Sequence, residues 1–82
     1  MWHEGVIGIP VKGSDKMKAA HYHVRCFDEA NEYGINKGKI SQLIINIEEK
    51  TKAYYDEEWI VEPDEDDEAT QLAYCILLQE YN

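Results

Sequence analysis

Apolar and polar residues alternate most clearly in two stretches of this chain. Between residues 18 and 27, Ala20, Tyr22, Val24 and Cys26 are separated by His21, His23 and Arg25. Between residues 40 and 47, Leu43, Ile45 and Ile47 share one face, with Gln42, Ile44 and Asn46 on the other. A period of two belongs to half-buried strands. Residues 2–9 predict a third strand, which stops at Pro10, a residue without an N–H that suits an outer strand. Gly13-Ser14-Asp15 is a turn cluster that makes residues 11–17 a hairpin connection. Residues 28–39 contain Asn31, Gly34, Asn36 and Gly38 and predict a loop, with one helical turn ended by Gly34. Glu48-Glu49-Lys50 fits a tight turn, and residues 51–55, with Tyr54 and Tyr55, the returning strand. Trp59-Ile60-Val61 either extends that strand or forms a short extra one.

After Pro63 the period changes. Asp64 is a good helix N-cap, Asp67 stands where a capping box places an acid, and a helix is predicted over residues 65–81. Its apolar positions, Ala69, Leu72, Ala73, Tyr74, Ile76, Leu77, Leu78 and Tyr81, spread beyond the usual stripe of about 100°. Such a helix is buried on two sides or turns part of its surface to a partner, most simply a second copy of the chain. The whole pattern predicts one α+β domain over residues 1–82: an antiparallel meander of about four strands, covered on one face by the C-terminal helix.

No apolar stretch approaches the roughly 20 residues of a membrane helix. The N-terminal residues lack a basic region followed by an apolar one, so a cytoplasmic location is expected. Cys26 and Cys75 are too few and too far apart for a disulfide framework or a metal pair, and are expected to be reduced, buried small hydrophobes.

Charge sharpens this picture. Residues 1–47 hold six Lys/Arg and five Asp/Glu, a sum of +1, while residues 48–82 hold two Lys and twelve Asp/Glu, a sum of −10. Nine of the acids fall within residues 56–68. A field this lopsided bears on the choice of partner. Direct nucleic-acid binding is disfavoured, because Lys12, Lys16, Lys18, Arg25, Lys37 and Lys39 are diluted by acids and oppose the −10 half. Glu65 to Glu68 can be assigned to the first turn of the predicted helix, where acids stabilise the positive end of the macrodipole. Asp56, Glu57, Glu58 and Glu62 precede Pro63 and have no such explanation.

Tyr33-Gly34-Ile35, Gly38-Lys39-Ile40-Ser41 with Leu43, and Tyr55-Asp56 followed by Trp59 and Pro63 together resemble a family of short proteins encoded by bacteriophages and mobile elements of Gram-positive bacteria. The resemblance covers the central and C-terminal half. Members more often read Tyr-Asp-Arg-Gly-Trp, where this chain has Glu57 and Glu58. No established activity comes with the family. The resemblance implies a small phage-type protein working in a bacterial cytoplasm, and by analogy with anti-restriction and anti-CRISPR inhibitors an acidic nucleic-acid mimic. On that reading Asp56, Glu57, Glu58, Glu62, Asp64, Asp66 and Asp67 carry the charge and Tyr55 and Trp59 are anchors on a basic host protein. The alternative without mimicry is an accessory structural protein of unknown partner, and no cofactor is called for.

Two other chemistries have candidates. His21 and His23 share a strand face, and a metal would need His3 as third ligand. If the first hairpin pairs residues whose numbers sum to 26, His3 meets His23. If they sum to 27, Glu4 meets His23 and Trp2 meets Arg25, an ordinary charge pair and a cation–π contact, and this register is favoured. Asp64, Asp66 and Glu68 begin like a calcium loop, but Ala69 replaces its glycine and Cys75 its final acid. No nucleophile elbow, P-loop or dinucleotide fingerprint occurs, and the expected protein is not an enzyme.

Overall fold

A computed structural model of the chain describes residues 1–82. Its elements are β1 (Trp2–Pro10), β2 (Met17–Cys26), β3 (Ile40–Ile47), β4 (Lys50–Asp56), β5 (Trp59–Val61) and α1 (Glu68–Tyr81). The strands form one antiparallel sheet in the order β1-β2-β3-β4-β5, so each pairs with its neighbour in sequence. Alternation decides which side chains go inward. Ile9, Ala20, Val24, Leu43, Ile45, Ile47, Ala53 and Tyr55 all lie on the face that α1 covers, and all are buried. α1 rests on β1, β2 and β3 and adds Thr70, Ala73 and Leu77 to the core. The opposite face of the sheet has no cover.

The meander and its single helix are as the pattern predicts, with five strands in place of about four. The extra strand arises because the backbone reverses at residues 56–58. The Asp56 N–H donates to the Glu58 carbonyl at 2.9 Å, and Glu57 takes a φ of 58°. A glutamate in the left-handed region is disfavoured by about 1–2 kcal/mol, so no local pattern announces this reversal. Trp59 then pairs with Tyr55 in a separate β5.

The helix also starts later than expected. Asp67 is the N-cap, its side chain accepting the Thr70 N–H at 3.2 Å. Asp64 closes a local turn instead, accepting the Asp66 N–H at 2.9 Å. Of the acids assigned above to the first helical turn, only Glu68 is there. In the long loop the helical turn follows Gly34 and does not end at it: a 3-10 turn spans Ile35–Lys37 and buries Ile35 as a plug. The Asn82 side chain fastens this loop to the end of α1, donating to the Ile35 carbonyl and accepting the Ile40 N–H, both at 3.1 Å. A side chain at Gly38 would fill the place of the Asn82 amide, which accounts for the glycine.

Two cysteine expectations fail. Cys26 is half-buried and Cys75 exposed, because Cys75 lies on the side of α1 away from the sheet, along with Leu72 and Ile76. α1 is therefore buried on one side only.

The β3–β4 turn has Glu48 at φ 54° and Glu49 at φ 64°, the pattern of a type I′ turn, which favours Asn-Gly. Glu48 also lies 3.5 Å from Lys18, an exposed pair that contributes little. The double substitution Glu48→Asn with Glu49→Gly is expected to raise stability by about 1–2 kcal/mol. A higher urea midpoint with an unchanged slope is the measurement that checks it.

Candidate functional site

β4 alternates around Ala53 and Tyr55, and this decides the fate of the two aromatic anchors. Tyr55 faces the core and is 7% exposed, with its hydroxyl donating to the Tyr33 carbonyl at 2.7 Å. Burial, and then the charge of Glu57, pushes its phenol above the usual range. Tyr55 is thus part of the core and holds the long loop to β4, and it has no surface to offer a partner. Trp59 lies across from it, half-buried, with ring centroids 5.0 Å from Tyr55 and 5.6 Å from Tyr74, both edge-on. Such pairs contribute about 0.5–1.5 kcal/mol beyond area burial. Trp59 closes the β5 end of the core against α1.

Seven of the nine carboxylates in residues 56–68 fall into two groups at opposite ends of the sheet. Asp56, Glu57 and Glu58 form the tip of the β4–β5 turn, at the end of the sheet where β3 begins. Asp56 and Glu57 border a depression of about 470 Å³ shared with Arg25 and Gln42. Glu62 follows β5, and Asp64, Asp66, Asp67 and Glu68 lie at the other end of the sheet. There Asp64, Asp66, Asp67 and Glu68 line a second open cleft, also about 470 Å³, whose opposite wall carries Lys12 and Lys18. From Glu58 to Asp64 the chain spans at most about 20 Å, the reach of six extended residues.

Among the nine, only Asp67 has an ion-pair partner, Lys52 at 3.4 Å; the two other ion pairs of the molecule, Lys18–Glu48 and His23–Glu4, lie elsewhere. The other eight are exposed. Asp67 is set apart by its duty as helix cap. Burial alone would raise its pKa, but the Thr70 N–H, the neighbouring Thr70 hydroxyl and Lys52 outweigh this and hold the carboxyl below its ordinary value. That hydroxyl is itself buried without a well-formed hydrogen bond.

An unfolded Asp titrates near 3.9 and folded Asp67 lower. Its contribution to stability is therefore complete above the unfolded value and is lost as pH falls through the folded one. Asp67→Asn keeps a capping oxygen and removes the titration, so it should flatten the fall in stability below about pH 4. Urea midpoints measured across that range test this.

The first hairpin pairs residues whose numbers sum to 27: Trp2 opposite Arg25, His3 opposite Val24 and Glu4 opposite His23. The Arg25 guanidinium lies 5.5 Å from the Trp2 ring, and His23 Nε2 lies 2.9 Å from a Glu4 carboxylate oxygen. His3 is on the covered face, stacked on Tyr81 at 4.4 Å, while His21 and His23 are on the open face. The three histidines do not converge, and no three His, Cys, Asp or Glu side chains are placed to hold a metal. No helix is long and apolar enough to cross a membrane.

Reading by sequence missed Lys12 and Lys18 opposite the second acidic group, and Lys52 on Asp67. These contacts join residues far apart in the chain, and no periodicity marks them.

No curated protein and no solved structure matches the chain. Residues 1–82 match a family described as Domain of unknown function (DUF7678). The match spans the whole length, so this protein, with its five-stranded meander, one helix and acidic β5 margin, belongs to the DUF7678 family.

Proposed function

We propose that this is a non-enzymatic interaction protein whose acidic margin, residues 56–66, occupies a basic nucleic-acid-binding groove on another protein, in the manner of phage-type inhibitors of host defence. The observation that carries this reading is that eight of the nine carboxylates in residues 56–68 are exposed and have no ion-pair partner. Helix capping uses Asp67 and Glu68 and the turn before it uses Asp64, which leaves Asp56, Glu57, Glu58, Glu62, Glu65 and Asp66 without a structural duty for their side chains. A strand of duplex DNA presents one charge about every 3.4 Å. Six acids, Glu57, Glu58, Glu62, Asp64, Glu65 and Asp66, fall within a stretch of chain that reaches at most about 30 Å, one charge about every 5 Å or closer.

Tyr55 drops out of the binding set because it is buried. Trp59 acts by holding the margin rigid, and rigid charges lose less freedom on binding. The cytoplasm of a bacterial host is the setting this reading implies.

The experiment is a pull-down from host lysate with the native chain and with a variant carrying Asp56→Asn, Glu57→Gln, Glu58→Gln and Glu62→Gln. A basic nucleic-acid-handling protein retained by the native chain alone, and released as salt rises, is the expected result. Identical partner lists would overturn the proposal.

A further inference from the structure

α1 covers one face of the sheet and leaves the other to solvent. An antiparallel sheet can take water as its cover, and its outward positions are then polar. Here they are mixed. Trp2 and Val6 on β1 are 55% and 57% exposed, Val61 on β5 is 36% exposed, and Ile44 and Tyr54 lie half-buried between them. On the strands, Glu4, Arg25 and Asp56 are the only acids or bases that the registers turn to this side, a sum of −1 on a chain of −9.

We propose that this open face is a homodimer interface, two sheets packed face to face about a two-fold axis parallel to β3 and midway between them. The registers select a second copy as the occupant. β2 and β4 flank β3, so rotation about that axis sets β3 over β3 and β2 of each copy over β4 of the other. Arg25, Gln42 and Asp56 form one row across the three strands. In the dimer Gln42 meets its own copy, amide to amide, and each Arg25 meets the other copy's Asp56, two equivalent ion pairs. His23, Ile44 and Tyr54 form the next row. It sets Ile44 on Ile44 and an imidazole beside a phenol hydroxyl. In the third row, His21, Asn46 and Thr51, Asn46 meets itself and an imidazole faces a hydroxyl. Each residue on the axis is of a type that pairs with itself, and each residue beside it faces one of matching chemistry.

Charge also selects the axis. Turning the second copy about the middle row instead would set Glu4 against its twin and leave Arg25 over His21, with no acid opposite it. In the proposed arrangement Glu4 keeps its partner His23, 2.9 Å away in its own chain. Packed sheets cross at about 30°, and residues one strand from the axis, about 4.8 Å, are thereby displaced by about 2.5 Å, within the reach of an arginine. Of the nine acids in residues 56–68, the face uses Asp56 alone.

The area suffices. Five strands about 4.8 Å apart and about seven residues long, at about 3.4 Å each, give a face of about 500 Å² once the shortness of β5 is allowed for. Two copies then cover about 1,000 Å², the size at which a specific interface begins. The same rotation brings the β1 border, with Trp2 and Val6, over the β5 border of the other copy, with Val61, so apolar area at both borders is used.

Sedimentation equilibrium of the native chain from about 1 µM to about 0.1 mM is expected to give twice the chain mass at the upper end. Arg25 and Asp56 are both exposed, so each can be exchanged with the fold intact. Arg25→Asp sets acid against acid at both equivalent positions, and Asp56→Arg sets base against base. Each variant alone should dissociate at least about ten-fold more readily than the native chain. An equimolar mixture of the two restores both ion pairs in a heterodimer and should recover the native mass, which unfolding of either variant could not produce. Leu72→Lys, on the side of α1 away from the sheet, should leave the dimer unchanged. A native chain that stays monomeric at about 0.1 mM, single variants that associate like the native chain, or a mixture that does not recover the dimer overturns the proposal. Loss of the dimer with Leu72→Lys overturns it too, in favour of an interface through α1.

Discussion

Leu77→Ala is expected to cost about 3–5 kcal/mol of folding stability, the upper part of the range for large-to-small changes in a core. α1 is the only cover on the sheet, and of its three buried residues Thr70 and Ala73 are small. Leu77, 1% exposed, is the one large side chain by which the helix is fully anchored. The void it leaves would be bounded by strand side chains fixed in a ladder, which limits relaxation. Domains of this size are stable by about 4–12 kcal/mol in all, so the variant should lose about a quarter or more of its margin. Thermal unfolding followed by circular dichroism should show a midpoint lower by about 4–8 °C per kcal/mol. A change under about 1 kcal/mol, the size of an ordinary surface effect, would mean that α1 is not seated on the sheet through Leu77.

Neutralising Asp56, Glu57, Glu58 and Glu62 should do the reverse: leave folding intact and remove binding. None of the four has an ion-pair partner to lose, and like charges crowded at one turn repel each other. Exposed pairs formed with a basic groove contribute about 0.2–1 kcal/mol each. Four of them make about 1–4 kcal/mol, or between about five-fold and nearly thousand-fold in affinity for the captured partner. The difference between native and neutralised chains should shrink between about 0.05 and 0.5 M salt, as the Debye length falls toward a few ångströms. Titration calorimetry against that partner measures both. Equal affinities at low salt would assign the acids to solubility.

Much of this architecture can be read without coordinates, and the reasons for success and failure are local. Ala20, Tyr22 and Val24, and Leu43, Ile45 and Ile47, advertise their strands because one face must be buried and the other not. The helix start is ambiguous in sequence because Asp64 and Asp67 are both good caps three residues apart; Asp67 prevails by reaching the Thr70 N–H while also meeting Lys52. The fifth strand is ambiguous because its turn depends on a glutamate at positive φ, a choice no propensity favours.

For the site, the charges are legible and the aromatics are not. Assigning Tyr55 to the core requires knowing that Ala53 and Tyr55 share the covered face, which follows from the bulge that sets Lys52 outside the ladder between Thr51 and Ala53. The separation of the acids into two groups needs β5 to be a strand in its own right.

The meander has a consequence for how the chain reaches this state. Apart from β2 and β3, which are joined by the thirteen-residue loop 27–39, each strand finds its partner across a short connection, so most of the sheet can be assembled from neighbouring hairpins at small entropic cost. Seating the helix is different: stacking His3 on Tyr81 closes a loop of seventy-eight residues. Against a five-residue turn, that closure costs about 2 kcal/mol more in chain entropy. The sheet is thus the template and the helix the late arrival. Leu77, Tyr81 and Asn82 are positioned to make that last step cooperative with everything before it.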